Sequence, residues 1–505
     1  MDPDTPNPIE LEAPDILDRG RHRISRRDID PDCLKVLYRL NANGFTAYLV
    51  GGAVRDLMLG RKPADFDVST NAHPNQIKKL FRNAFLIGRR FRLAHVRFQG
   101  GKIIEVSTFR RKPDEEELAA EREEAAARDA ETDGVPDESP AETSIDSPLT
   151  GEIPESGTGP EPADEAEAGP QPESGDPDAP DLPDAPGGPD AAAAQGPAKR
   201  RGRPPIKPIA YGTPREDAFR RDLTINALFY DIATYSVIDY VGGLEDLEAG
   251  RIRIIGDPDA SYTEDPVRIW RVLRHASRLG FTIEDRTAEA IGRHRQRLDA
   301  CSGSRLYEEL NKDMKSGSVR PFFQAARLHG ILPRVLGEVG EFYQADDEAF
   351  DKLTFLLGAL DASINGGGSP PQEVAYGLLL WPWAEPLLGG IHGDKPKELY
   401  EAFRGARATA TVPKSILLEA VHALVIVEHM LRALDDGKMR WALKERPRYL
   451  EASRIVSLLV EGNFGNCDDP FSLIYRSRFG TRPRSKPHRH RRRKKPILPP
   501  PPPAD

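Results

Sequence analysis

At 505 residues the chain is too long for a single core, so two or three domains are expected, and its 71 Lys and Arg against 80 Asp and Glu give a net charge of −9. No run of about eighteen apolar residues occurs, so no membrane span is expected, and Cys33, Cys301 and Cys467 fit neither a disulfide framework nor metal-ligand spacing, which points to a reducing, cytoplasmic setting. The charge is segregated: residues 114–198 hold 26 Asp and Glu against two arginines, a net −24, leaving +15 on a basic remainder suited to a polyanion such as nucleic acid.

Residues 1–20 read as a disordered, acidic, proline-rich lead without the apolar core of a signal peptide. From about Asp30 the pattern becomes globular, with Cys33, Leu34, Val36, Leu37 and Leu40 at helical spacing. A strand over 47–50 runs into Gly51-Gly52 and a short helix over 53–59. A second strand is expected over 65–69, a helix over 73–81 with Pro74 in its first turn, and a hairpin of 93–98 with 102–109 around Gln99-Gly100-Gly101. Residues 114–198 contain no Phe, Tyr or Trp. Such a segment cannot bury enough apolar area to offset roughly 1–2 kcal/mol per residue of backbone entropy, so an insertion over 113–205 is expected to be disordered. Helical periodicity then dominates to about residue 475, clearest over 267–279, 287–297, 305–315, 320–328 and 414–434. The apolar run 374–387, interrupted by Trp and Pro, reads as a buried helix. Residues 482–495 carry nine Lys and Arg, among them Arg491, Arg492 and Arg493, and read as a flexible arm.

The chemistry begins at Gly51-Gly52-Ala53-Val54-Arg55-Asp56, followed by Asp65-Phe66-Asp67. A glycine pair between strand and helix lets backbone N–H groups approach a phosphate, and Arg55 adds a charge in that first turn. Asp65 and Asp67 lie two apart on the expected strand, so both carboxylates leave one face about 6–7 Å apart, near enough to converge on a metal pair. A third acid would be Glu105, flanked by Ile103-Ile104 and Val106, or Asp222, which could equally orient an arginine; spacing alone leaves both open. Arg220 and Arg221 beside Asp222, Thr224 and Asn226 suit triphosphate and ribose contacts, or a salt-bridged helix start. Asp239 to Leu247, with Gly242-Gly243, reads as a turn between subdomains. In Glu264-Asp265-Pro266-Val267-Arg268, with Arg271 and Arg274, a carboxylate and arginines on a rigid helix could select a base by its hydrogen-bonding edge; the acids could instead complement the helix dipole.

The order GGAVRD, DFD, IIEVSTFR, DAFRRDLTINAL, DYVGGLEDL, EDPVRIWRVLR and SRLYEEL resembles the superfamily of class II tRNA nucleotidyltransferases and bacterial poly(A) polymerases, over about residues 23–315 apart from the insertion. The resemblance implies an α+β fold, with a small mixed β-sheet, polymerase β-like nucleotidyltransferase head and an all-helical neck, body and tail. The head is expected over 21–240, the neck over 241–315, the body over 316–475 and the basic arm over 476–505. It implies Asp65 and Asp67 as metal ligands for two Mg²⁺ ions. Gly51, Gly52 and Arg55 would lie at the triphosphate of ATP, Arg220, Arg221 and Asp222 at ribose and phosphate, and Asp265 with Arg268 at the base, near Arg271 and Arg274. The segment Phe85 to Val96, with Arg89, Arg90 and Arg92 as RNA contacts, resembles the polymerase branch, as do residues 22–29 and the basic arm.

The activity so implied is template-independent addition of AMP to RNA 3′ ends, in RNA processing and decay, with decay proteins as possible partners. Addition of CCA, or its terminal A, to tRNA is the alternative, and a non-catalytic RNA-binding protein on the same fold is the more remote one, opposed by the intact Asp-x-Asp. Lys199 to Pro205 resembles an AT-hook, but a single copy is weak and DNA binding is not expected. The −24 insertion is expected to be a neutral solubilising loop, or else an electrostatic competitor of RNA.

Overall fold

The computed structural model describes residues 13–88, 93–112, 210–464 and 467–479. In chain order the head is built from β1 (Asp15–Leu17), α1 (Pro31–Ala42), β2 (Ala47–Val50), α2 (Gly52–Met58), β3 (Asp67–Thr70), α3 (Pro74–Leu80), β4 (Ala84–Ile87), β5 (Leu93–Arg97), β6 (Ile103–Thr108) and β7 (Arg110–Arg111). It resumes beyond the insertion with β8 (Ala210–Tyr211), the Pro214–Phe219 helix, β9 (Leu228–Asp231) and β10 (Ser236–Asp239). Eight of these strands form one sheet in the order β1-β10-β9-β2-β3-β6-β5-β4, antiparallel throughout except for the parallel pair β3–β6.

Local sequence explains the elements that frame the site. Asp30 caps α1 by accepting from the N–H groups of Asp32 and Cys33, and Pro31 opens the helix where no N–H is needed. Cys33, Val36, Leu37 and Leu40 then fall on one buried stripe, packed with Leu49, Val68, Ile77, Ala94, Ile104 and Val106 on the inner face of the sheet. The opposite face is divided. Its β10-β9-β2 half is sealed by Val50, Phe229 and Ile238 under Phe109, Ala218 and Val241. Its β3-β6-β5-β4 half stays open.

The insertion leaves the head at β7 and returns at β8, which pair as Arg110↔Tyr211 and Arg111↔Ala210. Its two ends are thus held side by side, and the chain on both sides belongs to one compact unit. The expectation of disorder over 113–205 lies outside the described residues, as do the lead before residue 13 and the tail after 479. Within the lead expected to be disordered, however, Asp15–Leu17 pairs with β10 as the sheet's edge strand, and the Pro470–Phe479 helix runs into the start of the expected arm.

From Gly243 onward the chain is largely helical: Gly243–Glu248, Pro258–Glu264, Val267–Leu279, Asp285–His294 and Gly303–Asp313, then Val319–Leu328 through Pro470–Phe479. The expected helix over 267–279 matches its observed bounds, and the apolar run 374–387 lies within Gln372–Gly390, buried along most of its length despite Pro382 and Pro386. The head is keyed to these helices by Asp246, wholly buried, which accepts from Arg253 at 2.7 and 2.6 Å and from the Thr224 hydroxyl at 2.6 Å. A Cβ on Gly243 would stand 2.3 Å from the Thr224 carbonyl oxygen, so only glycine fits that junction. Among the described residues no helix is long and apolar enough to cross a membrane.

Candidate active site

The chain turns out of β2 at Gly51, whose φ of +73° favours glycine, and α2 starts at once. This turn places Gly51, Gly52 and Ala53 in the wall of a cavity of about 510 Å³. The facing walls come from Arg220, Arg221, Asp222 and Asn226, and from Asp265, Arg268, Arg271, His275 and Arg278 on and just before the Val267–Leu279 helix. Asp65 and Asp67 close one end.

Asp67 opens β3, but Asp65 lies two residues ahead of the strand rather than within it, as the sequence had suggested. On the β2 side the ladder ends at Val50↔Asp67, because β2 turns out of the sheet at Gly51. On its other side Asp67 is in register with Glu105 across the parallel pair. Loss of hydration, then the charges of Glu105 and Asp65, push Asp67 up to about 6 against the pull of Arg221.

The two candidate third acids are in different circumstances. Glu105 is exposed beside Asp67, with His95 Nε2 at 3.4 Å from its Oε1. Asp222 sits on the opposite wall, where its Oδ2 accepts from Arg271 Nε at 2.6 Å and its Oδ1 from the Leu223 N–H at 2.9 Å. Burial works against the Asp222 charge, but Arg271 and His275 outweigh it and hold the carboxyl below the usual range. Among the described residues no three His, Cys, Asp or Glu side chains converge closely enough to hold a metal ion by themselves. The donor set still fits Mg²⁺, a hard cation commonly bound by one or two carboxylates together with substrate phosphates. The crowding that raises Asp67 is what such a cation would relieve.

The arginines divide into two kinds. Arg220 and Arg221 both line the cavity and pair with the buried Asp217, at 3.1 and 2.9 Å, and Arg221 also donates to the Asn226 carbonyl and to Ser69 Oγ at 3.4 Å. Arg268 reaches the Ser261 hydroxyl at 2.8 Å, and Asp265 accepts from Arg305 at 2.6 Å and from the Val267 N–H. Arg55 lines the cavity yet is only 2 % exposed, its guanidinium donating to Asp56 Oδ1 at 2.8 and 2.9 Å and to Asn226 Oδ1 at 2.6 Å. Arg274 is outside the cavity lining altogether. It pairs with Asp313 at 2.6 Å and with Glu309, on the Gly303–Asp313 helix. At 100° per residue a position i+6 lies 240° round the helix from i, so Arg274 cannot share the face of Arg268. Positions 275 and 278 do share the face of 268 and 271. Arg89, Arg90, Arg92, Arg491, Arg492 and Arg493 lie outside the described residues.

Sequence reasoning passed over Asp217, His275 and Arg278. His275 is in contact at 3.3 Å with Arg55 Nη1 and with the Asn226 amide nitrogen; burial, and then the neighbouring Arg55 charge, push it down to about 3, so it is neutral at pH 7. The helical spacing 268, 271, 275, 278 was the signal that could have found it and Arg278.

A second cavity, of about 620 Å³, lies on the other side of the carboxylates. It shares Ala64, Asp65 and Asp67 with the first and adds Lys62, Phe66, His95, Ile103 and Glu105. Asp65 and Asp67 therefore form a wall between a chamber lined by six arginines and one lined by Lys62, Lys102, His95, Glu105 and the apolar Phe66 and Ile103.

Comparison with known proteins agrees with this geometry. Residues 47–136 and 192–253 match the family described as poly A polymerase head domain, and 280–342 match one described as a probable RNA and SrmB-binding site of polymerase A. Poly(A) polymerase I of Salmonella typhi is 32 % identical over 460 residues, covering 88 % of this chain and 82 % of that protein. The CCA-adding enzyme of Bacillus pumilus is 28 % identical over 282 residues, covering 56 % of this chain and 49 % of that protein. Among solved structures, the Bacillus stearothermophilus CCA-adding enzyme in complex with CTP shares the fold, with a TM-score of 0.53 at 19 % identity over 89 % of this chain and 83 % of that one.

Proposed function

The chain belongs to the superfamily of poly(A) polymerases and class II tRNA nucleotidyltransferases, template-independent enzymes, and from that premise we propose that it extends RNA 3′ ends, with AMP from ATP as the nucleotide added. One observation carries the proposal: Asp65 and Asp67 stand between two cavities, one rich in arginine and suited to a triphosphate, the other suited to an acceptor.

In this reading the N–H groups at Gly51 and Gly52 approach the phosphates, and Arg220 and Arg221, held apart by Asp217, neutralise them. Asp265 and Arg268 meet the base, on a helix whose position is fixed by Arg274 and the buried Trp270 against Asp313. Two Mg²⁺ ions, held by Asp65 and Asp67 with Glu105 beside them, would supply activation of the acceptor hydroxyl and neutralisation of the leaving pyrophosphate. The RNA 3′-oxygen forms a bond to the α-phosphorus as the bond to pyrophosphate breaks. Glu105 is the third acid in this account, while Asp222 orients Arg271 from the nucleotide side. Arg55 acts from beneath, tying α2 to Asn226 and His275 rather than meeting phosphate itself.

The product has two readings that share all of these steps. Poly(A) addition is supported by relatives named poly(A) polymerase I that match most of the chain at about one third identity. Completion of tRNA ends is supported by the CCA-adding relatives, which differ in where extension stops. Supplying an unstructured RNA with ATP alone separates the two: a long tail supports the first, and addition confined to a tRNA lacking its 3′ end supports the second.

A further inference from the structure

The open half of the sheet presents a continuous row of side chains leading away from the carboxylates. Strand register sets Asp67 beside Glu105, Glu105 beside His95, and His95 beside Phe85. Residues paired laterally point to one face, so these four share the face that carries the active site. The exposure pattern agrees: in β4, β5 and β6 the positions alternating with Phe85, His95 and Glu105 (Ala84, Ala94, Val96, Ile104 and Val106) are buried. At about 4.8 Å per strand, Phe85 lies about 14 Å from Asp67.

This surface is unusually apolar for one open to water. Phe85 is 51 % exposed, Ile87 46 % and Ile103 40 %. His95 lies between them with its Nδ1 lacking a hydrogen-bond partner among the described residues. The Arg97 guanidinium stands 5.0 Å from the Phe85 ring centre, setting a cation beside an exposed aromatic face. The other half of the same sheet face has its apolar row sealed by Phe109, Ala218 and Val241, so this half is left bare beside the catalytic wall.

We infer that this open half-sheet, with the second cavity, is the platform for the last nucleotides of the RNA acceptor, the terminal nucleoside lodging beside Ile103 and His95 and a preceding base stacking on Phe85. The occupant is single-stranded RNA rather than a folded protein, for three reasons. The patch is continuous with the wall where an acceptor hydroxyl must arrive. Its exposed ring has an arginine beside it, which suits a base next to a phosphate. Four-stranded sheets with exposed aromatics are a proven way to stack two or three unpaired bases, a span that fits the distance from Asp67 to Phe85. Stacking of this kind tolerates any base, as an enzyme extending a growing tail requires.

The inference rests on the reading that an RNA 3′ end is the acceptor, and one experiment separates the two. The full-length protein is titrated, without ATP, with a short oligoadenylate bearing 2-aminopurine near its 3′ end. Extension of the same oligonucleotide with ATP is then timed for wild type, Phe85→Ala and Phe85→Tyr. Phe85→Ala is expected to weaken oligonucleotide binding about tenfold and remove the quenching of the bound 2-aminopurine, with the KM for ATP unchanged and Phe85→Tyr restoring both. Phe85 is exposed, so an unchanged melting temperature serves as the folding control. Unchanged affinity and quenching in Phe85→Ala, with wild type extending normally, would overturn the platform alone. Binding and quenching through Phe85 without any extension would retain the platform and overturn the polymerase reading. A change of oligomeric state in Phe85→Ala with RNA affinity intact would overturn it too, by assigning the patch to a second copy of the chain.

Discussion

At the scale of single residues the account turns on charges that the fold has placed at odds with one another. Asp67, raised to about 6 by loss of hydration and by Glu105 and Asp65, is an acid kept in an environment that suits its neutral form unless a cation is present. Its folded pKa lies above its unfolded one, so its ionisation costs stability as pH rises from about 4 to 6. Asp67→Asn is therefore expected to lower kcat by about a thousandfold or more, while raising the metal-free melting temperature above that of wild type at pH 7 but not at pH 4. Retained activity would remove Asp67 from the mechanism. His275 behaves in the opposite sense. A histidine held neutral by burial binds its proton first in the unfolded chain, so wild type should lose stability as pH falls below about 6.5. Asp222, held below the usual range, loses its contribution further down the same slope. His275→Gln should flatten the first part of that slope, as melting temperatures at several pH values would show. Asp65 and Asp67 could be singled out in the sequence because their pattern is local, a Gly-Gly turn and two acids two apart, whereas spacing left Glu105 and Asp222 open as the third acid. His275 and Asp217 were not singled out, because each matters only through groups that distant segments bring to it.

At the scale of elements, the Val267–Leu279 helix is the part most easily misread. Its arginines recur every three residues, yet the face they occupy is set by 100° per residue, which carries Arg271 into the cavity and Arg274 out of it. Arg274 instead neutralises Asp313 and Glu309, both nearly buried. Arg274→Ala leaves the buried Asp313 with only the Trp270 N–H and Glu309 with only Lys312, and is expected to cost about 3 kcal/mol. It should appear as a large fall in melting temperature with the KM for ATP unchanged at a permissive temperature. A raised KM for ATP at undiminished stability would mean that Arg274 reaches the nucleotide after all. The strands over 47–50, 93–98 and 102–109 and the first helices were readable from hydrophobic periods of two and of 3.6 residues, whereas β1, β4, β9 and β10 were not, since each is too short to show a period by itself. Strand ends were less readable: β3 begins at Asp67, two residues after Asp65.

At the scale of the molecule, charge is divided between an acidic insertion and a basic remainder. The pairing of β7 with β8 closes the head independently of whatever joins them. Replacing residues 113–208 by a short Gly/Ser linker shortens the loop and lowers its closure cost, so melting temperature and extension rate should survive. RNA affinity at low salt is the informative quantity. Unchanged affinity identifies a neutral loop, and a marked gain identifies an electrostatic competitor of RNA. The order of motifs made the superfamily legible before the fold. The division of labour among the helices beyond residue 316 was not, since their sequence speaks of packing and not of what they grip.

The central claim is template-independent addition of AMP to RNA ends at the wall formed by Asp65 and Asp67. Its most direct test is extension of a 5′-labelled unstructured RNA, and of a tRNA lacking its 3′ end, in Mg²⁺ with ATP alone, CTP alone and both. The account predicts a long tail on the unstructured RNA with ATP alone, abolished in Asp67→Asn. Addition confined to the tRNA and halting after one to three nucleotides would contradict it and assign the chain to the CCA- or A-adding branch.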